Sequence, residues 1–351
     1  MKMYVRVILS VLCALMIAAL PFAIPSATTP GDIFAEMQEE EWEDEEYEDE
    51  YEEDSASLFD LFLPRACAEE EEIREETIEG LVDLPIDFSA GMTPNPAGYT
   101  ENSYEDPSIS VQMETREEGD VTYCIAWVKI ATPAQLRTGI AGKKVSSKNV
   151  AKISTLAKRY NAIVAINADF MTNNPSKTSF EYRMGQEVRK KRNANKDVLI
   201  IDEKGDFHLY VSFDEDTMKQ AMSEGYSIIN AFTFGPALVI DGQVQDLRSN
   251  HEKYDYNPTG QEPRMAIGQT GELSYVLVMA EGRNKNSDGA TQQEMADFCA
   301  SLGCIQAFNL DGGNSAEMVF NNAFYGSRKG NERDQSDIIY FCSAIDPVTW
   351  Q

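Results

Sequence analysis

The sequence has little of what two large functional classes require. It contains two histidines in 351 residues and no pair of cysteines in a C-x-x-C spacing, so a zinc site is not expected. It also contains no basic stripe, and its formal net charge is −29, which argues against binding of nucleic acid. Among six widely spaced cysteines, Cys299 and Cys304 flank a predicted helix end, and the sequence leaves open whether they form a disulfide.

The negative charge is concentrated at the start of the chain. Residues 1–85 contain 24 acidic and 4 basic side chains, which accounts for about −20 of the total charge. Every position from Glu39 to Asp54 is a carboxylate except three aromatic residues. Because such a segment repels itself and has little apolar surface to bury, residues 28–85 are predicted to form a disordered, extended acidic linker.

A basic and then apolar segment precedes this linker. Lys2 and Arg6 are followed by the apolar run from Val7 to Ile24, which is the pattern of an export signal and is just long enough to span a bilayer. Residues 1–27 are therefore predicted to be a signal peptide or an uncleaved signal-anchor, and the sequence leaves both alternatives open. Either one predicts an extracytoplasmic protein, secreted or membrane-anchored at the cell surface.

Residues 86–351 have the composition of a single globular domain. The segment Val121–Ile130 is rich in β-formers, whereas Ser147–Tyr160 has apolar residues at helical spacing. Thr291 and Glu294 form a T-x-x-E capping box at the start of a second helix. These patterns predict an α+β (mixed α-β) fold in which a mixed β-sheet is flanked by helices.

Two apolar strands in the C-terminal half end on carboxylates. The strand Leu273–Ala280 is followed by Glu281, and the strand Cys304–Leu310 is followed by Asp311. The helix-containing crossover between them favours a parallel pair, since parallel strands need long connections. Both strands would then end at the same sheet edge, which predicts that Glu281 lies near Asp311.

Polar residues also follow a third strand, and glycines follow Asp311. The buried strand Ala162–Ile166 ends on Asn167 and Asp169, and Asp311 precedes a Gly-Gly pair. Glycines permit a sharp turn and the close approach of a ligand, and strand ends are common positions for catalytic groups. These strand ends are therefore the candidate functional site, although a capped tight turn would have the same local pattern.

Several segments taken together resemble the phosphodiester glycosidase family. The resemblance keeps the family's order of motifs over about residues 95–345 and excludes the leader and the linker. The matching segments are Ala165–Phe170 (A-I-N-A-D-F), Tyr182–Gly185 (Y-R-M-G), Phe234–Val239 (F-G-P-A-L-V), Pro263–Gly268 (P-R-M-A-I-G), Glu281–Arg283 (E-G-R) with Ser287–Thr291, and Asn309–Ser315 (N-L-D-G-G-N-S). Ala168, Asn314 and Glu317 depart from the residues usual in the family, which bears on the substrate more than on the reaction.

The resemblance implies hydrolysis of the glycosidic bond of a sugar-1-phosphodiester, with no cofactor required. An oxocarbenium-like transition state needs a nearby carboxylate, and the phosphate needs arginines or amide donors. The candidate catalytic residues are Asp311 as the essential carboxylate, Glu281 as the acid/base, and Asp169. The candidate substrate-binding residues are Arg264, Arg183 and Arg283 for the phosphate, Asn167, Asn309 and Ser315 for sugar hydroxyls, and Gly312 and Gly313 as backbone donors to an oxyanion.

Two other functions are compatible with the same residues. One is a non-catalytic module that binds extracellular carbohydrate or wall polymers, in which the carboxylates would be fully paired. The other is a calcium-dependent adhesin, which would require Asp169, Asn309 and Asp311 to converge on one point. A structural calcium ion is compatible with these side chains but is not predicted. The sequence specifies neither the sugar, nor the aglycone, nor the oligomeric state.

Overall fold

The computed structural model describes residues 78–169, 179–248, 258–327 and 331–350. The predicted leader and most of the predicted linker lie outside these residues. Within them, no helix combines the length and the apolar character needed to cross a membrane. Residues 78–85 belong to the folded part, because Leu81 forms a β-bridge with Ile345 and Leu84 is buried. The folded region therefore extends upstream of residue 86, into the segment that the sequence assigned to the linker.

The described residues form three α-helices and are otherwise rich in short strands. The helices are α1 (Ile153–Arg159), α2 (Glu215–Ser223) and α3 (Gln292–Ser301). The strands are β1 (Ser103–Asp106), β2 (Ile109–Glu118), β3 (Val121–Ile130), β4 (Leu136–Ile140), β5 (Ala151–Lys152), β6 (Val164–Asn167), β7 (Phe180–Arg183), β8 (Gln186–Lys190), β9 (Val198–Asp202), β10 (Phe207–Tyr210), β11 (Ile228–Phe232), β12 (Ala237–Ile240), β13 (Gln243–Val244), β14 (Arg264–Gly271), β15 (Ser274–Ala280), β16 (Gln306–Asn309), β17 (Met318–Phe320), β18 (Ala323–Phe324), β19 (Asp334–Gln335) and β20 (Asp337–Phe341).

These strands form three main sheets. The large sheet has the order β1-β2-β3-β15-β14-β16-β12-β13. The β6 sheet has the order β18-β17-β6-β20-β4, and the β9 sheet has the order β10-β9-β11-β7-β8. Every strand pairing within the described ranges is antiparallel, so the prediction of a mixed sheet is wrong, whereas the α+β class is confirmed.

The predicted parallel pair is replaced by a different arrangement. Strand β14 lies between β15 and β16 and pairs antiparallel with both, so those two strands run in the same direction without being neighbours. Glu281 and Asp311 therefore follow strands that end at the same edge. The intervening strand separates those strand ends by two inter-strand steps, about 10 Å. The crossover between β15 and β16 does not reveal that β14 lies between them, because β14 comes before both strands in the chain.

Apolar packing arranges the elements in layers. One core cluster lies between the large sheet and the β6 sheet and contains residues such as Leu277 and Ile166. Helix α3 packs on the other face of the large sheet through Met295 and Phe298, and α1 packs on the other face of the β6 sheet through Leu156. The two sheets thus meet face to face, which brings the ends of their strands together.

Local predictions from the sequence are mostly accurate. The capping box forms, since Thr291 Oγ1 accepts from the Glu294 N–H at 3.1 Å while Glu294 Oε2 accepts from the Thr291 N–H at 2.8 Å. The predicted helix Ser147–Tyr160 is shorter, because Ala151–Lys152 pairs with Asp334–Gln335 as a small ladder. Cys299 and Cys304 are buried and are not disulfide-bonded.

Candidate active site

The ends of β6 and β16 are joined directly by hydrogen bonds. The Asp311 N–H donates to the Ala168 carbonyl at 3.3 Å, and Asn167 Nδ2 donates to the Asp311 carbonyl at 2.7 Å. Asn167 Oδ1 also accepts from the Glu317 N–H at 3.1 Å. Asn167 is fully buried and committed to these backbone groups, so its predicted role in binding sugar hydroxyls is wrong. It positions the Asp311 loop instead.

Asp311 is half-buried at the centre of this junction. Burial raises its pKa to about 6, although hydrogen bonds from Ser315 Oγ and the Gly312 N–H and the nearby Arg333 guanidinium favour the charged form. The charge of Asp169 contributes to this raised pKa, so the two carboxylates lie within electrostatic reach of each other. The sequence therefore identified two acids that the fold does bring together.

Arg333 is a site residue that the sequence reasoning missed. Its Nη1 donates to Ser315 Oγ at 2.8 Å, and its N–H donates to Glu317 Oε1 at 2.8 Å. The residue is exposed overall, while its guanidinium contacts the buried Ser315 hydroxyl in the Asp311 loop. No motif in the sequence marks this arginine, because it reaches the site from a segment preceding β20 and is recognisable only by proximity.

Asp169 is fully buried beside Asp311. Its Oδ1 forms an ion pair with Arg183, and its Oδ2 accepts from the Thr233 N–H at 2.8 Å. Burial raises the pKa of this carboxyl, while Arg183 and the Thr233 N–H favour its charged form. The negative charge of Asp169 is therefore compensated inside the protein by Arg183.

Arg183 supports Asp169 and does not face a substrate. The side chain is fully buried, its Nε donates to Asp337 Oδ2 at 2.8 Å, and its Nη1 donates to the Ala231 carbonyl at 2.5 Å. The guanidinium carbon lies 4.3 Å from the centre of the Phe232 ring. The prediction that Arg183 contacts the phosphate is therefore wrong, since its donors serve buried protein acceptors.

The glycines after Asp311 shape the loop without presenting donors to an oxyanion. The Gly312 N–H is used by the Asp311 side chain, and the Gly313 N–H donates to the Pro263 carbonyl at 2.7 Å. A Cβ atom on Gly312 would lie 2.7 Å from the Pro263 oxygen, and Gly313 has a φ of +61°. The prediction of an oxyanion site here is wrong, because close packing against Pro263 is what these glycines permit.

A second polar cluster lies on the other side of the Asp311 loop. Buried Glu281 accepts from the Ser327 N–H through Oε1 and from Asn284 Nδ2 at 3.2 Å through Oε2. Arg283 donates to Asn314 Oδ1 at 3.0 Å and forms an ion pair with Glu262. A small pocket of about 60 Å³ is lined by residues of both this cluster and the loop. It is lined by residues that include Pro263, Glu281, Arg283, Gly313, Asn314 and Ser327.

Two other predicted substrate-binding residues serve the backbone. Arg264 is buried, its Nε donates to the Ala290 carbonyl at 2.9 Å, and its Nη2 donates to the Gly260 carbonyl at 2.7 Å. Asn309 Nδ2 donates to the Gly235 carbonyl at 2.8 Å. These contacts support structural roles for both side chains.

Comparison with known proteins points to one family. The family model described as phosphodiester glycosidase (NAGPA) matches residues 160–342, just over half of the chain. The chain is 28% identical over 170 residues to the SPbeta prophage-derived uncharacterized protein YomE of Bacillus subtilis (strain 168). That alignment covers 48% of this chain and 26% of YomE, so the chain spans about a quarter of that relative.

A solved structure shares the fold. It is the zebrafish N-acetylglucosamine-1-phosphodiester alpha-N-acetylglucosaminidase (NAGPA) catalytic domain, auto-inhibited by its pro-peptide. The TM-score is 0.54 at 14% sequence identity, and the match covers 72% of this chain and 87% of the zebrafish chain. At this identity the likeness establishes a common fold.

Proposed function

Because the chain belongs to the phosphodiester glycosidase family, we propose that it hydrolyses the glycosidic bond of a sugar-1-phosphodiester, with Asp311 at the reacting carbon. The family match supports a hydrolase of this type. The observation that carries the specific assignment is the position of Asp311, which is half-buried between Asp169 and Arg333 at a junction of two sheets. A carboxylate and a guanidinium side by side are the two groups that this reaction needs most.

Asp311 acts as an ionised carboxylate in this proposal. The Ser315 hydroxyl and the Gly312 N–H donate to it, and both bonds favour the charged form. With a pKa of about 6, the group is mostly ionised at neutral pH. It can then stabilise the positive charge that develops on the sugar ring as the bond to phosphate breaks, or attack the anomeric carbon as a nucleophile.

Arg333 is the residue we assign to the phosphate. Arginine binds phosphate oxygens in a bidentate manner, and Arg333 is exposed beside Asp311, whereas Arg183 and Arg264 are buried against protein acceptors. The phosphate is also a good leaving group, so a guanidinium that neutralises its charge reduces the need for a strong general acid.

The pocket beside Glu281 and Arg283 is proposed to receive the part of the substrate beyond the reacting bond. Arg283 and Asn314 together offer hydrogen-bond donors and acceptors at its rim. Glu281 accepts hydrogen bonds at both oxygens, which makes it a group that fixes the pocket wall. This arrangement favours a positioning role for Glu281 over the acid/base role that the sequence suggested.

An extracytoplasmic location is part of the proposal. It rests on Lys2, Arg6 and the apolar run that follows them. In that location, the substrates of interest are sugar phosphodiesters of the cell surface or wall. The partner is then a sugar-phosphodiester polymer or small molecule, bound outside the membrane.

The non-catalytic carbohydrate-binding module is the second candidate. It is favoured by the pairing of Asp169 with Arg183 and of Glu281 with Ser327 and Asn284, because paired carboxylates are typical of a binding site without turnover. The half-buried state of Asp311 favours the hydrolase instead.

The test is hydrolysis of a panel of sugar-1-phosphodiesters by the whole chain and by Asp311→Asn. We expect turnover of at least one substrate by the unmodified protein and a loss of about 10²- to 10³-fold in kcat in the variant, as for removal of a group that stabilises transition-state charge. Asp120→Asn, at an exposed turn, is the matched control. Full activity in Asp311→Asn would refute the assignment, and binding without turnover in the unmodified protein would favour the module.

A further inference from the structure

Glu181 is a buried acid close to the candidate site. It lies on β7, two residues before Arg183 and therefore on the same face of the strand. Its side chain is fully buried, and its Oε2 forms an ion pair with Arg189 of the neighbouring strand β8. Its Oε1 has no hydrogen-bond partner among the described residues. An orphaned carboxyl oxygen in the protein interior is unusual and calls for an explanation.

The charges around Glu181 do not balance. Asp169, Asp337 and Glu181 all act on Arg183, and Arg189 is the second cation that faces Glu181. Among the described residues, three buried carboxyl groups therefore face two guanidinium groups, of Arg183 and Arg189. Because an uncompensated buried charge is very costly, the cluster is expected to retain one proton.

The hydrogen bonds indicate which carboxyl holds that proton. Asp169 accepts from Arg183 and from the Thr233 N–H. Asp337 accepts from Arg183 at 2.8 Å and from Ser336 Oγ at 2.6 Å. Within the part of the chain that the structure describes, Glu181 accepts from Arg189 alone. The carboxyl with the fewest donors is the one least stabilised as an anion, so the proton belongs on Glu181.

The electrostatics agree with this assignment. Burial, followed by the charges of Asp169 and Asp337, raises the pKa of Glu181 to about 8, against the opposing effect of Arg183 and Arg189. At neutral pH the group is therefore mostly neutral, while Asp169 keeps Arg183 and the Thr233 N–H as donors.

We propose that Glu181 is a positioning residue that holds a proton in the resting protein, so that Arg183 stays committed to Asp169. The role in catalysis rests on the proposed function, whereas the protonation state does not. When Glu181 ionises, a third carboxylate competes for Arg183. The ion pair between Arg183 and Asp169 is then weakened. At alkaline pH, Asp169 is therefore held less firmly beside Asp311.

The first experiment measures stability against pH and needs no substrate. A group whose pKa is higher in the folded state binds its proton in the folded but not in the unfolded chain between pH 4.5 and about 8. The melting temperature of the unmodified protein should therefore fall as pH rises through this window. In Glu181→Gln, which mimics the neutral acid, we expect that part of the fall to disappear.

Glu187→Gln is the matched control, since it makes the same change at an exposed position of β8. It should melt with the same pH dependence as the unmodified protein. An unchanged pH dependence in Glu181→Gln would overturn the proposal. The expected difference between the two Gln variants would support it, whether or not the protein hydrolyses any phosphodiester.

The second experiment tests the positioning role through the pH profile of kcat/KM. We expect the unmodified enzyme to lose activity above about pH 8, and Glu181→Gln to lack that alkaline decline. An alkaline decline that persists unchanged in Glu181→Gln would overturn the positioning role. A lack of turnover in the unmodified protein would instead count against the proposed function, and the melting curves would still decide where the proton resides.

Discussion

The Asn167 side chain donates a 2.7 Å hydrogen bond to the carbonyl oxygen of Asp311 and so connects strand ends that belong to different sheets. The same amide accepts from the Glu317 N–H, at the start of the segment that leads into β17. The position of Asp311 is therefore set by the β6 sheet as much as by the large sheet that carries it. Four predictions test this view of the site.

Asn167→Ala should destabilise the protein by about 1–3 kcal/mol, because the Asp311 carbonyl and the Glu317 N–H would remain buried without their partner. It should also lower kcat, since Asp311 would no longer be held in place. Urea unfolding and turnover measure the two effects. Asn286→Ala, in an exposed loop, should change neither. Unchanged stability and turnover in Asn167→Ala would show that this hydrogen bond does not position the loop.

The activity should depend on the ionisation of Asp311. Because the ionised form is the active one and its pKa is about 6, kcat/KM should rise with pH through about 6 and then stay level up to the alkaline decline above about pH 8. Arg333 lowers this pKa, so Arg333→Gln should move the acid limb to higher pH in addition to raising KM for the phosphodiester. Arg116→Gln, on β2 and four strands away from β16 in the large sheet, is the control. An acid limb at unchanged pH in Arg333→Gln would show that Arg333 does not lower the pKa of Asp311.

Arg183→Met should be among the most destabilising single changes in the domain. It would leave Asp169 and Asp337 buried without their shared cation, which typically costs about 3–5 kcal/mol. The comparison is Arg116→Met, which breaks a half-exposed pair with Glu114 and should cost no more than about 1 kcal/mol. Denaturant unfolding of both variants gives the difference. Similar costs for the two substitutions would mean that the buried cluster is not held by Arg183.

Gly312→Ala should reduce activity more than stability. The new methyl group would lie 2.7 Å from the Pro263 oxygen, so the loop carrying Asp311 has to shift. A displacement of about 1 Å near reacting groups can cost roughly 100-fold in rate. Gly271→Ala, where a Cβ atom meets no heavy atom within 4 Å, provides the control for turnover. Full turnover in Gly312→Ala would show that the loop tolerates this displacement.

The sequence was sufficient to identify the family and to single out two acids that the fold brings together. The family resemblance is confirmed, and Asp169 and Asp311 come together as strand ends should. The reason is that strand ends and tight turns are local features. A buried apolar strand followed by a carboxylate and glycines can be recognised without any knowledge of which sheet the strand joins.

The roles of the arginines could not be predicted from local sequence patterns. Arg183 lies within one of the motifs that resemble the family, yet it is buried in an ion pair with Asp169. Arg333 lies outside every such motif, yet its charge acts on Asp311. Whether a guanidinium faces solvent or a buried acid depends on the packing of distant segments. One local signal was available, since Glu181 and Arg183 alternate with aromatic residues and so share one face of their strand.

Because the two acids follow strands of different sheets, the distance between Asp169 and Asp311 can change without a change in either sheet. Asp311 follows a strand of the large sheet and Asp169 follows a strand of the β6 sheet, and each sheet completes its own backbone ladder. The spacing of the two acids is therefore set by the hydrogen bonds that join the two strand ends and by the packing of the core between the sheets, where residues such as Ile166 and Leu277 lie. Changes of side-chain volume in that core would retune the gap between the acids without altering either one. Selection for a larger or smaller substrate could therefore act on positions that no substrate ever touches.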